Sequence, residues 1–236
     1  RNGNWKFSKG SKSDYSIDDK YIDILLKSLK IDKLNKNLKV VWDPGNGAAG
    51  NIIEKLVKLL PGEHTLINSN IDGTFPSHHP DPTNPKNLEE IISLVKDKKF
   101  DLGLAFDGDG DRLGVISSAG KIIWGDQILA LLSKEVLKDI PNAPIIADVK
   151  ASQNLFNEIQ RLGGVPVMWK TGHSFIKSKM KEISSPLAGE MSGHIFFADR
   201  YLGYDDGIYA GLRVLELIED STTLDNFLNN LPKTFS

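Results

Sequence analysis

Three aspartates that alternate with glycines form the strongest chemical signal in this sequence. Asp107, Asp109 and Asp111 follow directly after the apolar segment 102–106. Glycine allows a tight backbone turn, so that three side chains can converge on one point. Close carboxylates repel one another, and a divalent cation removes that repulsion by taking their oxygens as hard ligands. The spacing therefore predicts a Mg²⁺ site at these three residues.

The residue that follows the three aspartates is Arg112, and a guanidinium beside a bound cation favours phosphoryl oxygens as ligands. The run also begins like the loop of a calcium EF-hand, which has Gly at position six and Glu at position twelve. Here Arg112 and Ser118 stand at those positions, and the flanking segments are apolar strands rather than helices. We therefore favour magnesium with a phosphate ligand over a calcium loop.

A second polar segment places Glu190 and Ser192 between two glycines and ends in His194. A carboxylate and a hydroxyl two residues apart offer the acceptors and donors that sugar hydroxyls need. Lys150 and His173 follow predicted strands, where strand ends and helix N-termini collect anions. These patterns are weak when taken alone. A polar β-turn stays open as the alternative for the first group, and a capping or core role stays open for His173.

Gly45, Gly47 and Gly50 match the dinucleotide fingerprint G-x-G-x-x-G between a predicted strand and a predicted helix. The fingerprint also requires an acidic residue about 20 positions further on, at the end of the next strand. The nearest acid there is Asp72, which lies beyond that strand. We therefore favour a tight structural turn over a dinucleotide site.

A long polar loop, 70–87, contains His78, His79 and Asp81. Loops of this length in compact domains are often functional. The three side chains could suggest zinc, but adjacent histidines rarely converge on one ion, so we interpret them as part of the loop structure.

Strands and helices must hold these loops, and their alternation predicts α/β units with mainly parallel sheets. We predict one linker and two tandem α/β domains, at 1–16, 17–120 and 121–236. The predicted helices are 16–29, 52–60, 88–96, 126–137, 152–162, 174–183 and 205–218. The predicted strands are 38–43, 65–68, 102–106, 113–117, 121–124, 144–149, 165–169, 187–188 and 195–198.

Composition narrows the classes of partner. The chain has 29 basic and 31 acidic residues, so its charges nearly balance. This balance gives no overall positive electrostatic field that would attract nucleic acid or an anionic membrane. It has no cysteine, which excludes disulfides and thiolate metal sites and fits a cytoplasmic protein. No apolar stretch reaches the length of a membrane span.

Taken together and in this order, the motifs resemble the α-D-phosphohexomutase family. The match is carried by Asp-Pro-Gly-Asn-Gly-Ala-Ala-Gly at 43–50, Asp-Gly-Thr-Phe-Pro at 72–76, His-His-Pro-Asp-Pro at 78–82, Ala-Phe-Asp-Gly-Asp-Gly-Asp-Arg at 105–112, Lys-Thr-Gly-His-Ser at 170–174 and Gly-Glu-Met-Ser-Gly-His at 189–194. Methionine at 191 is more similar to the mannose and glucose enzymes than to the glucosamine enzymes. Members have four domains around a cleft, and the resemblance implies that this chain holds the second and third.

The resemblance also implies a reaction and a role for each candidate residue. Members interconvert hexose 1-phosphate and hexose 6-phosphate through a phosphoserine and a bisphosphate intermediate. The implied Mg²⁺ ligands are Asp107, Asp109 and Asp111. Arg112 would lie by the transferring phosphate, Glu190, Ser192 and His194 would bind the sugar, and Lys150 and His173 would lie beside it and assist proton transfer.

One departure from the family pattern is large, because nothing here matches the serine loop Thr-x-Ser-His-Asn-Pro. We expect partner domains at both ends of the chain and no mutase activity from the chain alone. A non-catalytic sugar-phosphate binding module, or a subunit of a split enzyme, is the main alternative. A nucleotide-dependent oxidoreductase and a haloacid-type phosphatase are further ones, and the order Asp109-Gly110-Asp111-Arg112-Leu113 fits the phosphatase poorly.

Overall fold

The computed structural model describes residues 9–232, which form two α/β units that follow each other along the chain. In each unit, helices pack against a sheet whose central strands are buried, as expected when apolar strands alternate with amphipathic helices. No helix in this part of the chain has the length and apolarity that crossing a bilayer would require.

The first unit contains a five-stranded sheet. Its strands are β1 (Lys39–Asp43), β2 (Glu63–Leu66), β3 (Leu102–Phe106), β4 (Leu113–Ser117) and β5 (Ile122–Ile123). They lie in the order β2-β1-β3-β4-β5, and β1 is parallel to both of its neighbours while β4 is antiparallel to both of its own. The helices are α1 (Asp18–Lys27), α2 (Gly50–Leu56) and α3 (Glu89–Lys98), with 3-10 turns at Ile31–Lys33, Val57–Leu59 and Pro85–Leu88.

The second unit contains a four-stranded sheet. Its strands are β6 (Pro144–Asp148), β7 (Val165–Trp169), β8 (Leu187–Gly189) and β9 (Ile195–Phe197). They lie in the order β7-β6-β8-β9, and only the pairing of β8 with β9 is antiparallel. The helices are α4 (Gly125–Asp139), α5 (Gln153–Arg161), α6 (His173–Ile183), α7 (Gly207–Leu215) and α8 (Thr223–Asn230).

The predicted fold class, two α/β units with mixed sheets, is confirmed. The strand predicted at 121–124 is β5, and it pairs with β4, so residues that we assigned to the second unit extend the first sheet. The division into 17–120 and 121–236 stays a prediction.

Two helices near the C-terminus differ from the sequence prediction. The helix predicted at 205–218 is shorter in the structure, where it corresponds to α7. It begins at Gly207 because Asp205 forms a β-bridge with Phe196 and the Asp206 side chain accepts a hydrogen bond from the Tyr209 N–H. The helix α8 was not predicted.

The helix α7 joins the two units. All nine of its residues are buried. Gly211 lies so close to the first sheet that a Cβ there would be 3.3 Å from Leu104 Cδ1. On the second sheet, the Tyr209 ring meets Phe197 edge-on with 5.3 Å between the centroids. One continuous apolar cluster therefore contains side chains of both sheets and fixes the loops of one sheet against those of the other.

Candidate active site

The aspartate loop leaves the carboxyl end of β3 and turns at Gly110, which has φ +81°. Asp107, 2% exposed, holds this turn together. Its Oδ1 accepts hydrogen bonds from the N–H groups of Gly110 and Arg112, both at 3.1 Å, and its Oδ2 accepts one from Arg112 Nε at 2.6 Å. A buried carboxylate therefore shapes the backbone that presents the other two aspartates.

The three aspartates converge as the sequence predicts. Asp107, Asp109 and Asp111 each offer an oxygen, and these atoms lie within 4.8 Å of one another. Burial raises the pKa of Asp111 to about 6, and the nearby Asp107 and Asp109 carboxylates add to the shift while His194 opposes it. Crowded negative charge on oxygen ligands is what a hard divalent cation stabilises. The donor set therefore fits such a cation.

Arg112 is held by two carboxylates, from Asp107 and, through Nη1, from Asp81 at 3.2 Å. Its Nη2 group makes no hydrogen bond to any other residue in 9–232, so one face of the guanidinium keeps donors for a ligand. The sequence analysis assigned Asp81 to the structure of the long loop 70–87 and did not predict its contact with Arg112.

A buried ion pair fixes that loop. His78 Nε2 lies 2.9 Å from Oδ2 of Asp43, which is fully buried at the end of β1. The Asp43 hydrogen bond is the main cause that raises the pKa of His78 to about 9, against the opposing effect of burial. The prediction that His78 serves the loop structure agrees with this contact, and neither of the potential metal clusters among the described residues includes it.

The glycine turn, 45–50, packs against the aspartate loop, 107–111. The Ala48 N–H donates to the Gly108 carbonyl at 2.9 Å, and a Cβ on Gly47 would lie 2.7 Å from the same oxygen. The backbone that a dinucleotide pyrophosphate would need is thus covered by protein. The turn is structural, as the missing acidic residue indicated.

Glu190, Ser192 and His194 lie together in the loop between β8 and β9. The Glu190 carboxylate, 3% exposed, accepts a hydrogen bond from the Gly172 N–H at 2.6 Å and lies 3.1 Å from His194 Nδ1. Burial would raise the pKa of Glu190, but these two partners outweigh it and the pKa is lowered. Ser192 Oγ is 2.8 Å from the same His194 nitrogen. Glu190 therefore braces the loop while Ser192 and His194 are partly exposed.

The aspartate loop, 107–111, and the loop 190–194 meet directly. Arg112 and His194 form an isolated antiparallel β-bridge, and the Leu113 N–H donates to the Gly193 carbonyl at 3.0 Å. His194 Nε2 lies 3.3 Å from Asp111 Oδ1. Two loops separated by about eighty residues of sequence thus form one site.

Lys150 and His173 border the same site on the second unit. Lys150 follows β6, is half-exposed, and its Nζ lies 3.5 Å from Asp148 Oδ2. His173 is the first residue of α6, and its ring stacks on that of His194 with 6.5 Å between centroids. His173 therefore lies beside His194, and Lys150 lies beside Asp148, which accepts a hydrogen bond from the Met191 N–H. The roles of both residues stay a prediction.

The comparison with known proteins agrees with this geometry. The sequence matches two family models, phosphoglucomutase/phosphomannomutase α/β/α domain II over residues 19–120 and domain III over residues 124–235. The chain belongs to the phosphoglucomutase/phosphomannomutase family. The expected resemblance to the second and third domains of a phosphohexomutase is thereby confirmed.

Relatives in this family extend beyond the match. A phosphomannomutase/phosphoglucomutase of Pseudomonas syringae is 45% identical over 238 residues, which cover 100% of this chain and 50% of that protein. A phosphoglucomutase of Neisseria meningitidis is 45% identical, covering 97% and 49%. The X-ray structure of a phosphoglucomutase/phosphomannomutase family protein from Burkholderia thailandensis gives a TM-score of 0.87 at 46% identity, covering 94% and 48%. The chain thus spans about half the length of these relatives.

Two buried carboxylates beside these candidate residues were missed by the sequence analysis. Asp148, fully buried at the end of β6, accepts hydrogen bonds from Thr171 Oγ1 at 3.0 Å and from the Met191 N–H at 3.3 Å. Asp205 offers an oxygen within 4.8 Å of ligand atoms of Asp111 and His194. The position of Asp148 at a strand end was the only available signal for either.

Proposed function

We propose that this chain is the central part of a Mg²⁺-dependent phosphohexomutase that interconverts hexose 1-phosphate and hexose 6-phosphate, with mannose and glucose as the sugars. The observation that carries the proposal is the β-bridge between Arg112 and His194. It supports the proposal because it holds Arg112 and the neighbouring aspartates beside Ser192 and His194, whose hydroxyl and imidazole groups can bind a polar ligand. Family membership supports the same reaction class.

The reaction consists of two phosphoryl transfers. In the first, a sugar hydroxyl oxygen bonds to the phosphorus of a phosphoserine, the phosphorus–serine oxygen bond breaks, and the hydroxyl proton passes to a base. The resulting sugar bisphosphate then reorients in the site, and its other phosphoryl group is transferred back to the serine. We assign that serine to a part of the protein that the relatives have beyond the matched half, since the chain lacks the family's serine loop.

The residues of this chain position the reactants. Arg112 binds the transferring phosphoryl group through its remaining donors, and Glu190, Ser192 and His194 bind sugar hydroxyls. Lys150 and His173 assist proton movement and bind phosphate oxygens. Mg²⁺ held by the three aspartates would offset charge that builds on the phosphoryl oxygens.

The chain alone is then inactive as a mutase but binds its ligands. The alternative, a non-catalytic sugar-phosphate binding module, predicts the same binding and differs only in the turnover of the longer protein. Location in the cytoplasm is retained as a prediction.

Ligand-observed NMR with glucose 1-phosphate and mannose 1-phosphate tests the binding step. We expect saturation transfer to the sugar protons, reduced by Ser192→Ala because a hydroxyl partner is lost. Ser178→Ala, on the exposed face of α6, is the matched control and should change nothing. Equal binding by the Ser192→Ala variant would remove the loop 190–194 from the proposal.

A further inference from the structure

A buried carboxylate behind the loop 190–194 has one oxygen without a hydrogen bond. The Asp205 side chain is 7% exposed. Its Oδ1 accepts a hydrogen bond from Lys177 Nζ at 2.9 Å, and its Oδ2 has no hydrogen-bond partner among residues 9–232. Buried carboxylate oxygens are nearly always hydrogen-bonded, so one without a partner can indicate a functional role.

The neighbour that faces this oxygen is His173. Its Nδ1 lies 3.6 Å from Asp205 Oδ2 and 3.2 Å from Lys177 Nζ. Lys177 stands one helical turn after His173 on α6, so the two side chains share a face of the helix. The ammonium group thus lies between the carboxylate and the imidazole and contacts both.

Lys177 and Asp205 favour opposite protonation states of His173 Nδ1. An ammonium group only donates hydrogen bonds, so a Lys177–His173 contact requires Nδ1 to accept. The neutral ring then carries its proton on Nε2. A carboxylate only accepts, so Asp205 acting alone would draw a proton onto Nδ1. Lys177 also forms an ion pair with Asp205, and its positive charge reduces the tendency of the carboxylate to draw a proton onto Nδ1.

We propose that Lys177, anchored by Asp205, is a positioning residue that fixes His173 as the Nε2–H tautomer. The inference builds on the proposed function. In that function, the tautomer makes His173 a hydrogen-bond donor to a phosphate or hydroxyl oxygen of the sugar phosphate, and stacking on His194 holds the ring in place. His173 Nε2 makes no hydrogen bond to another residue in the described part of the chain, which leaves this donor for a ligand.

Long-range ¹H–¹⁵N correlation NMR of the histidine side chains tests the tautomer on this chain without any substrate. The pH is kept at about 8.5, roughly two units above the value where an unperturbed imidazole titrates, and His173→Gln identifies the signals. We expect an Nε2–H pattern for His173 in the wild type. In Lys177→Met it should change to Nδ1–H. Lys181→Met, one turn further along α6, is the control and should keep the wild-type pattern.

Two results would overturn the proposal: an Nδ1–H pattern in the wild type, or no change in Lys177→Met. Asp205→Asn gives an independent variant, because loss of the anchor should leave a mixture of both tautomers. In the longer protein, Lys177→Met should raise the KM for hexose phosphate roughly tenfold, the loss of about one hydrogen bond. Absence of turnover in that protein would contradict the proposed function, while the NMR result would still decide the tautomer.

Discussion

Asp107 and Asp109 differ in the contacts that they make within the aspartate loop, 107–111. Its two oxygens already accept three hydrogen bonds from Gly110 and Arg112, so it organises the loop as well as facing the cluster. Asp109 is exposed and makes no side-chain hydrogen bond to another described residue. Its carboxylate is therefore free to serve as a ligand, and its replacement should leave the fold intact.

Asp109→Asn should weaken Mg²⁺ binding to this chain at least tenfold, because a charged oxygen ligand is lost. Isothermal titration calorimetry measures the affinity, and Asp32→Asn, an exposed carboxylate elsewhere, is the control. The wild type itself should bind weakly, because the family resemblance implies that a phosphoserine of another domain supplies one further Mg²⁺ ligand. A wild-type Kd well below ~10 μM would count against that shared ligand.

At the scale of elements, the loop 70–87 is attached to β1 by one ion pair, and this pair responds to pH. The pKa of His78 is raised to about 9 in the folded chain, against about 6.5 for an unperturbed histidine. The ion pair therefore stabilises the fold fully below about pH 6.5, and this stabilisation is lost as pH rises through about 9.

We expect His78→Gln to lower the free energy of unfolding at about pH 6 by on the order of 1–2 kcal/mol, after allowance for partial exposure. At about pH 10 the variant and the wild type should differ much less. Urea unfolding at both pH values measures this, with His79→Gln as the control for an exposed neighbouring histidine. A pH-independent difference between wild type and His78→Gln would show that the ion pair is not the cause.

The elements show what sequence could and could not predict. The aspartate loop was predicted because its residues are contiguous and the flanking strands are strongly apolar. The pair of Asp43 with His78 joins residues 35 positions apart, and no local pattern reports such a contact. The helix α8 does have a sequence signal, because Leu224, Phe227 and Leu228 follow helical spacing, but we predicted no element beyond residue 218.

At the scale of the whole molecule, Arg213 of α7 links elements that would otherwise be separate. Its guanidinium forms two hydrogen bonds with Asp199, at 2.9 and 2.8 Å, and lies 3.4 Å from Glu216. It also lies 4.2 Å above the Phe197 ring. Glu216 in turn pairs with Arg200, whose guanidinium donates to the Ser28 carbonyl just after α1. The network therefore links the segment after α1 in the first unit to α7.

Arg213→Met should destabilise the chain by roughly 3–5 kcal/mol, because buried carboxylates lose their partner. Arg161→Met removes an exposed pair with Glu158 and should cost less than about 1 kcal/mol. Urea unfolding gives both values. Hydrogen exchange should accelerate in β3 and in β6 together in Arg213→Met, whereas an effect confined to the second sheet would contradict the role of α7 as the joint between units.

The sequence also predicted two units, but it could not predict that α7 lies between them. That arrangement places the carboxyl end of β3 against the loop after β8 and so creates the site. Only the folded structure shows Asp148 and Asp205 beside the site, because each contacts residues from several elements.

The most direct test of the central claim is a coupled mutase assay with glucose 1-phosphate and mannose 1-phosphate, Mg²⁺ and a hexose bisphosphate activator. It compares this chain with the longest protein that its source reading frame encodes. We predict turnover by the longer protein, abolished by Asp109→Asn, and none by the chain alone. Turnover by the chain alone, or none by a longer protein that carries a serine loop, would contradict the account.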